Sequence, residues 1–443
     1  MKTTMLTSLK HRLFKTPLRR TALWKWSKIS RNDRRKAKFL KKIHGSHLLK
    51  SGIRILVINH FFDGEIESLN KQIAGRSDIS ILSLTPEPFF SRALVWFPES
   101  VHNADIPYDA AELDAVRARY RRYCEKLYDE IAAAYPFDCI LTPSDSFYWL
   151  REFIVVCQGH GIPTIVADKE GTISPRSFDV EPLRIHRMFP PISDRFFVWS
   201  ERQSAFWQKA GVDASRIDLV GSMRSDLFVT LKPQKPRTLL CFDFDTDAYI
   251  NNMDWDTLVW RGERNWNYLR DAIHRVLLRL AREFPEISII IKCHPQQVVT
   301  HFAVAELTKQ PNVTILKGTP RGLPAMIAEA HAVIGFQTTA LLEAALAKKP
   351  TLYVSWGELF DLVAPNILPW SEPGYGMNWI RSEGQLENTL RAILEGSQPE
   401  EFRLVDRSKL SRYFYQADGH VTERLLEQLT AAIGKSGTDG IRP

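Results

Sequence analysis

Short apolar runs separated by amphipathic stretches make up the first half of the chain after residue 51. The run "IRILVI" has the length and composition of a strand, and a polar turn and a helical stretch from residue 66 onward follow it. Strands that alternate with helices in this way predict a doubly wound parallel sheet. The further strand-length runs fall at 79–84, 139–142, 164–167, 195–199 and 217–220, with a charged helical stretch at 110–134.

The second half of the chain repeats this alternation. Its strand-length runs fall at 238–242, 288–292, 313–316, 332–335 and 351–354, with a helical stretch at 266–284. Between the halves, "LKPQKPRTLL" places Pro233 and Pro236 around a polar segment, which predicts a domain joint near residues 230–237. We therefore predict an α/β protein with two Rossmann-like, doubly wound domains that face a cleft. The predicted domains are 51–232 and 233–385, followed by helices at 386–443 that pack back on the body.

The composition agrees with this organisation. A chain of 443 residues, 44% of them hydrophobic, can bury the cores of two or three domains. Its five cysteines lack CxxC and CxxH spacing, which predicts neither a zinc site nor a disulfide framework and favours a reduced, cytoplasmic protein. We expect neither a membrane-spanning helix nor a secretory signal. P-loop, GxGxxG and GxSxG motifs are missing from the sequence, which argues against kinases, nicotinamide dehydrogenases and α/β-hydrolases.

Positive charge is concentrated in residues 1–50. This stretch holds 16 of the 59 Lys and Arg residues but only one acid, Asp33. The basic residues alternate with apolar ones that include Trp24 and Trp26, a composition typical of a helix on an anionic membrane surface. A solvated tail, a helix packed on the body and a nucleic-acid-binding segment are the alternatives, and Pro17 would interrupt a single long helix. We predict a basic amphipathic arm that binds the inner membrane surface, and no nucleic-acid partner.

The segment "SIIIKCHPQQ" ends an apolar run with residues suited to binding phosphate. Residues 289–291 predict a strand buried on both faces, and Pro295 prevents it from continuing as a central strand. Lys292 and His294 would then lie at the carboxyl end of the strand, where ligands bind in such sheets. Both side chains can donate hydrogen bonds to phosphate oxygens. A surface-loop histidine without a ligand is the alternative interpretation.

The stretch "AVIGFQTTALLEAALAKKP" predicts a strand, a turn and a helix. Gln337, Thr338 and Thr339 form the polar turn with capping hydroxyls, and residues 340–347 form the helix. Free N–H groups at the start of such a helix favour an anion. Glu343, one turn further along, can accept hydrogen bonds from ribose hydroxyls. A capped crossover helix without a ligand is the alternative.

Together these stretches resemble the nucleotide-binding half of bacterial glycosyltransferases of the GT-B fold. The resemblance rests on "KCHP", "VIGFQTT" and "EAALAKKP", and it points to the surface-polysaccharide group that includes polysialyltransferases, capsule Kdo transferases and CDP-glycerol glycerophosphotransferases of teichoic-acid synthesis. It implies that the second domain binds a nucleotide-sugar donor and the first domain an acceptor. The resemblance implies that His294, Thr338 and Thr339 contact the donor phosphate and that Glu343 holds the nucleotide. We add their motif neighbours Lys292, Pro295 and Gln337 as donor-binding candidates, and His294 is also a catalytic candidate.

The candidate catalytic base lies in the first domain. "PTIVADKEGTISP" resembles the acidic-acidic-Gly motif of sialyltransferases, whose carboxylate deprotonates the attacking hydroxyl, although Lys169 interrupts the acidic pair. A carboxylate in a partly desolvated cleft can act as a base. Glu170, next to Gly171, is the first candidate and Asp168 the second, and a charged turn without catalytic function is the alternative. Three residues of the stretch "NHFFDGE" are rival candidates: His60, Asp63 and Glu65.

Three other polar stretches are less specific. "CFDFDTDAYINNMDWD" lacks the Gly and terminal Glu of an EF-hand loop, so we expect a solvated or acceptor-facing loop and no metal site there. "VGSMRSD", with Gly221 and Arg224, is either a plain loop or part of the cleft. "YQADGHVTERLLEQL" resembles the D-G-x-x-x-x-R segment of the same glycosyltransferase group, and we assign Asp418, Gly419 and Arg424 a structural role.

The sequence therefore predicts a cytoplasmic glycosyltransferase, peripheral on the inner membrane, that builds a bacterial capsule or other surface polysaccharide. Its expected partners are a nucleotide-sugar donor and a glycan or lipid-linked glycan acceptor, and no cofactor or divalent metal is expected. Three alternatives stay open: a glycerophosphotransferase, a nucleotide-sugar epimerase, and a non-catalytic scaffold that binds a nucleotide or glycan. The basic arm favours a lipid-linked acceptor and weighs against the epimerase.

Overall fold

Two wholly parallel sheets of six strands each form the centre of the computed structural model. The structure describes residues 22–44, 52–169, 171, 173–232, 234, 236, 238–244, 266–294, 297, 302–317, 322–357, 359–360, 363–368, 377–397, 410 and 413–436. The first sheet contains β1 (Ile53–Ile58), β2 (Ile79–Leu84), β3 (Cys139–Thr142), β4 (Thr164–Ala167), β5 (Arg195–Val198) and β6 (Ile217–Leu219). The second contains β7 (Thr238–Phe242), β8 (Ser288–Lys292), β9 (Val313–Leu316), β10 (Ala330–Gly335), β11 (Thr351–Val354) and β12 (Asn378–Ile380).

Helices connect the strands and cover both sheets. Those before and within the first domain are α1 (Ala22–His44), α2 (Asp63–Ile73), α3 (Pro86–Phe90), α4 (Ala93–Trp96), α5 (Glu99–His102), α6 (Asp114–Ala134), α7 (Tyr148–Gly159), α8 (Pro175–Met188), α9 (Glu201–Lys209) and α10 (Ser225–Val229). Those that follow are α11 (Asn267–Glu283), α12 (Phe302–Leu307), α13 (Leu323–Ala328), α14 (Ala340–Leu346), α15 (Glu383–Leu394) and α16 (Val421–Ser436).

The first sheet has the strand order β2-β1-β3-β4-β5-β6 and is covered on both faces. In β1, Ile55 and Val57 face a core that contains residues of α2 and α16, whereas Leu56 and Ile58 face a second core with residues of α6 and α7. Successive side chains of a strand point to opposite faces of the sheet. A strand that is apolar at every position is therefore what a sheet between two helical layers requires.

The second sheet has the order β12-β11-β10-β7-β8-β9. Its strand β7 is buried throughout and belongs to one large core with residues of α11 and α14. On the surface, α15 packs against α11, and Glu383 accepts hydrogen bonds from Arg275 at 2.7 Å and Arg279 at 2.9 Å. The predicted boundary between residues 385 and 386 therefore falls inside a helix that packs on the second domain.

The last described helix returns to the first domain. Leu425 and Leu429 of α16 join the core on the α2 side of the first sheet. The backbone N–H groups of the first two residues of α16 donate to the carboxylate of Asp226 at 3.1 and 2.7 Å, which caps the helix. Just before the helix, Asp418 accepts a hydrogen bond from Arg424 at 2.8 Å. The structural role expected for Asp418 and Arg424 is confirmed.

The basic arm is helical from Ala22 to His44 and packs on the first domain. Phe39 contacts Phe89 edge to face at 5.5 Å, and Lys36 pairs with Glu130 at 2.6 Å. In the part of the chain that the structure describes, no helix combines the length and apolarity needed to cross a bilayer. The prediction that Pro17 interrupts the arm concerns a residue outside the described ranges. The basic residues on the exposed side of α1 are Arg31, Arg34, Arg35, Lys38, Lys41 and Lys42.

The predicted fold class is confirmed, with two doubly wound α/β domains preceded by a basic helix. The strands predicted from apolar runs are all present, with ends that differ by at most two residues. β12 was not predicted, because its three residues contain no apolar run of strand length. All five cysteines are buried and free, as their spacing predicts.

Candidate functional site

Each sheet has a switch point, where consecutive connections leave in opposite directions from the carboxyl ends of neighbouring strands. In the first sheet β1 lies between β2 and β3, and in the second sheet β7 lies between β8 and β10. Ligands of doubly wound folds bind at such switch points. A ligand site is therefore expected at the loops that follow β1, β3, β7, β8 and β10.

Arg224 joins the two carboxyl edges. It lies in the loop after β6 of the first domain, and its guanidinium forms an ion pair with Glu343 in α14 of the second domain. The same guanidinium donates a hydrogen bond to Thr339 at 3.4 Å and lies 4.0 Å from the carboxylate of Glu65, at the start of α2. The edges of the two sheets thus face each other across a cleft, and one cation serves carboxylates from both domains.

The charge states of Glu65, Glu343 and Arg224 depend on how deeply each side chain is buried. The side chains of Glu65 and Glu343 are almost fully buried, whereas a quarter of the Arg224 side chain is exposed. Burial raises the pKa of Glu65 and the charge of Glu343 adds to the rise, while Arg224 and Lys169 oppose it, and the resulting pKa is about 7. Neither oxygen of Glu65 accepts a hydrogen bond from the described residues. This carboxyl therefore titrates nearer to neutral pH than an ordinary glutamate does.

The turn between β10 and α14 is braced by its own side chains. Gln337 has a positive φ of 50°, its amide nitrogen donates to the Tyr353 hydroxyl at 2.6 Å, and its amide oxygen accepts from the backbone N–H of Leu368 at 2.9 Å. The Thr338 hydroxyl accepts from the N–H of Ala340 at 3.3 Å. α14 is only seven residues long and begins under this cap. An anion predicted to bind at this N-terminus would therefore be bound by side chains, chiefly by the hydroxyl of Thr339.

The loop after β8 holds His294 at the carboxyl edge, as the sequence predicts. His294 is half-buried, its N–H donates to the side-chain oxygen of Gln297 at 3.1 Å, and its carbonyl accepts from the N–H of Gln297 at 2.9 Å. Lys292 donates to the carbonyl of Cys293 at 3.3 Å, and burial lowers the pKa of its ammonium group. Pro295 lies outside the described residues.

Asp243, the first residue of the acidic stretch after β7, anchors the loop after β8 through a hydrogen bond with Gln297. Its carboxylate accepts a hydrogen bond from Gln297 at 2.6 Å and lies 3.2 Å from Nε2 of His274. Burial acts to raise the pKa of Asp243, but the hydrogen bonds from His274 and Gln297 outweigh it and hold the pKa below its usual value. Among the described residues no cluster of His, Cys, Asp and Glu could hold a metal ion. The other aspartates of the stretch, 245, 247, 254 and 256, lie outside the described residues.

The candidate residues of the loop after β4 make different contacts. The carboxylate of Asp168 accepts a hydrogen bond from the buried indole N–H of Trp207 at 2.9 Å. The ammonium of Lys169 lies 4.9 Å from the ring centre of Phe61, in the loop after β1. Gly171 packs so closely on Trp199 that a Cβ there would overlap the indole, so this position requires glycine. Glu170, the first candidate base, lies outside the described residues.

The structure brings the second-domain candidates to one edge. His294 follows β8 and Thr339 follows β10, on either side of β7, so their strands lie roughly 10 Å apart. Asp168 lies on the first domain, at the end of β4. Sequence reasoning did not place Arg224 beside Glu343, nor Gln297 and His274 around Asp243. The available signal for Arg224 was its position after a predicted strand at the joint, while the pairing itself depends on how the two domains face each other.

Comparison with known proteins shows the fold. No protein-family model matches the chain, and no curated protein matches it by sequence. Among solved structures, a UDP-N-acetylglucosamine 2-epimerase superposes with a TM-score of 0.51 at 13% identity, over 89% of this chain and 98% of that one. The UDP-GlcNAc 2-epimerase of Neisseria meningitidis, solved with UDP-GlcNAc bound, has a TM-score of 0.50 at 12% identity, over 86% and 100%. At such identities the likeness establishes two Rossmann-like domains of GT-B type and leaves the reaction open.

Proposed function

We propose that this protein is a glycosyltransferase that uses a nucleotide-activated sugar to build a bacterial capsule or other surface polysaccharide. One observation carries the proposal: the loop after β8 holds His294, and the turn and first helical turn after β10 hold Thr339 and Glu343, at the carboxyl edge of the second sheet. These residues stand in the motifs that resemble the donor half of surface-polysaccharide glycosyltransferases. The donor nucleotide is assigned to this edge and the acceptor to the edge of the first domain.

The proposed chemistry is stabilisation of a departing phosphate. His294 and the hydroxyl of Thr339 donate hydrogen bonds to phosphate oxygens, and Lys292 adds positive charge. Arg224 is added to this set, since its guanidinium already contacts Thr339 and can bind a phosphate in a bidentate manner. Because these cations supply the positive charge, we expect a reaction that needs no divalent metal.

The nucleotide ribose is assigned to Glu343. In the structure this carboxylate is ion-paired to Arg224, so ribose hydroxyls that bind Glu343 must share it with the guanidinium. Binding of a nucleotide would then turn Arg224 toward the phosphates. Hydrogen bonds from the ribose hydroxyls then replace the guanidinium at Glu343, which offsets part of the cost of breaking the ion pair.

Three carboxylates compete for the role of base. Glu170 stays the first candidate, on the strength of the motif it resembles. Asp168 is the second, but its bond to Trp207 ties one of its oxygens to the protein. Glu65 has a pKa near 7, which suits a general base, yet its side chain is sealed from solvent and would have to become accessible first.

A nucleotide-sugar epimerase is the second candidate, because the compared solved structures carry that name. The exposed basic side of α1 favours the transferase, since an epimerase of a soluble metabolite has no need of a membrane surface. We propose that residues 1–50 hold the protein on the cytoplasmic face of the inner membrane, next to a glycan or lipid-linked glycan acceptor.

The test is calorimetric binding of CMP, CDP, UMP and UDP to the full chain and to His294→Ala. We expect one nucleotide to bind tightly and His294→Ala to weaken it about tenfold or more, the loss of about 1.4 kcal/mol at the phosphate. His331→Ala is the matched control, because His331 is half-buried near the opposite, amino end of β10. Absence of nucleotide binding in the folded wild type would favour the scaffold interpretation.

The reaction is then assigned by product analysis. The nucleotide-sugar that corresponds to the bound nucleotide is incubated with and without membrane extract from cells that carry the polysaccharide. A transferase releases nucleotide only when acceptor is present, whereas an epimerase inverts a ring carbon without acceptor. A changed sugar in the absence of acceptor would contradict the transferase.

A further inference from the structure

A group of aromatic side chains surrounds the switch point of the first sheet. We call His60, Phe61, Phe147 and Trp149 the aromatic platform; the first two follow β1 and the last two follow β3. The His60 ring centre lies 4.5 Å from that of Phe61, 4.7 Å from that of Phe147 and 5.4 Å from that of Trp149. Phe147 and Trp149 stack nearly parallel at 5.0 Å. The platform therefore lies where a doubly wound sheet binds its ligand.

Phe61 is the exposed member of the platform. It is 73% exposed, the most exposed of the large apolar residues in the described part of the chain. Its backbone is in the left-handed region, with φ of 56°, which a bulky residue rarely adopts. The loop is fixed in this form because Asn59 accepts a hydrogen bond from the N–H of Phe62 at 3.3 Å and donates to Asp63 at 2.9 Å. The loop conformation thus keeps the Phe61 ring exposed to solvent at the edge of the first domain that faces the second domain.

Charged groups around the platform define what it can bind. The ammonium of Lys169 lies over the Phe61 ring, 4.9 Å from its centre, and burial together with Lys169 lowers the pKa of His60, which favours the neutral imidazole. Lys169 therefore supplies the positive charge beside the ring. Of the carboxyl groups near the platform, Asp63 accepts a hydrogen bond from Asn59, Asp168 accepts one from Trp207, and Glu65 is buried near Arg224.

We propose that the aromatic platform binds a sugar ring of the acceptor, and that this sugar carries a carboxylate or phosphate that pairs with Lys169. The inference rests on the proposed function, because it places the acceptor opposite the donor edge. The negative face of the Phe61 ring attracts the polarised C–H groups on one side of a pyranose, which is about the size of that ring. The ammonium of Lys169, which lies over the same ring, selects an anionic substituent on that sugar.

The position of the platform agrees with this ligand. Arg224, on the same edge, reaches Glu343 of the donor side, so a sugar on Phe61 lies in the same cleft as the donor. Phe61 is the only exposed ring of the platform and has the ammonium of Lys169 over it, which fits a saccharide better than a lipid chain. The neutral His60 behind Phe61 packs the ring from one side and adds no competing charge.

The experiment uses two probes that differ only in charge, tetragalacturonic acid and its carboxyl-reduced, neutral counterpart. Binding to the full-length protein is measured by ligand-observed NMR. We expect the acidic tetrasaccharide to bind wild type, and Phe61→Asn, which keeps the left-handed backbone but removes the ring, to weaken it about tenfold. Phe61→Tyr keeps the ring and should bind as wild type. Lys169→Gln should weaken the acidic probe about threefold and leave the neutral one unchanged.

Controls separate this proposal from the proposed function. Leu183→Ala removes an exposed apolar side chain of α8, and Lys126→Gln an exposed cation of α6, and neither should alter saccharide binding. Nucleotide binding is measured on every variant, and Phe61→Asn should leave it intact. Equal saccharide binding by Phe61→Asn and wild type, or no binding of either probe to wild type, would overturn the platform while leaving the donor assignment standing. Stronger binding of the neutral probe would overturn the role of Lys169.

Discussion

The two carboxyl edges that face each other across the cleft are built in different ways. On the second domain, His294 and the turn before α14 are held by hydrogen bonds within that domain, through Gln297 and Gln337. On the first domain, Arg224 finds its carboxylate partner across the cleft, in Glu343, and the most exposed large apolar side chain of the described residues, Phe61, lies on this edge. The loops of the edge proposed for the donor are therefore braced within their own domain, whereas the cation of the edge proposed for the acceptor is paired across the cleft.

This difference has a physical consequence for binding. Preorganised donors stabilise a developing negative charge without reorganising when the reaction occurs, which suits the edge assigned to the phosphate. The ion pair between Arg224 and Glu343 instead links the two domains, so any change in their separation alters the charge balance of both edges. The largest effects should therefore come from residues that span the cleft, and smaller ones from residues that brace a single edge.

Arg224→Ala should have the largest effect on stability. Removing the guanidinium leaves Glu343 and Glu65 buried near each other without their shared cation, which costs about 3–5 kcal/mol in buried ion pairs. Urea denaturation at pH 8 measures the change, with Arg122→Ala, an exposed arginine of α6, as the control. The same substitution in a Glu343→Gln background should cost clearly less. A loss below about 1 kcal/mol in both backgrounds would mean that the domains do not depend on this cation.

Part of this architecture was predictable from sequence and part was not. The strands ending at Lys292 and Gly335 follow from local apolar runs, and the position of His294 follows from Pro295 after a buried strand. The partners of Arg224 and the platform around Phe61 depend on contacts between residues more than 80 positions apart, which no local pattern encodes. Sequence periodicity gives elements and their ends, whereas side-chain pairing across a cleft depends on how whole domains pack.

Glu65→Gln should change how stability depends on pH. The folded-state pKa of Glu65 is raised to about 7 from an ordinary value of 4.5, so the folded state binds the proton more tightly than the unfolded state. Stability from this group is then fully present below pH 4.5 and is lost as the pH rises through 7, by about 3 kcal/mol in all.

Urea denaturation at pH 5, 6, 7 and 8 measures this dependence. Glu65→Gln should be no more stable than wild type at pH 5 and increasingly more stable toward pH 8, because the neutral amide has no charge to bury. Glu67→Gln, an exposed neighbour on α2, is the control. The groups that face Glu65 are Arg224, Glu343 and Lys169, so Lys169→Gln should shift the transition to higher pH. Parallel profiles for Glu65→Gln and wild type would show that the carboxyl is ionised throughout.

Gln297→Ala tests the bracing of the loop after β8 on the second domain, and it should have the smallest effect on stability. Gln297 bonds to Asp243 at 2.6 Å, to the carbonyl of Phe244 at 3.2 Å and to the backbone of His294. Truncation leaves the buried carboxylate of Asp243 with one partner fewer, at a cost of about 2 kcal/mol. Because the bonds that fix the loop are lost as well, nucleotide affinity should fall about tenfold.

A merely structural role for Gln297 would lower stability and leave affinity unchanged in the folded protein. Calorimetry of nucleotide binding to the folded variant therefore separates a purely structural role from the positioning of His294. Gln208→Ala on the surface of α9 is the control. Gln297→Glu sharpens the result, since a carboxylate at this place would face Asp243 and should be worse than alanine at pH 8 but recover at low pH. If affinity survives in both variants, His294 is positioned by β8 alone, and the contrast between a braced donor edge and a dependent acceptor edge disappears.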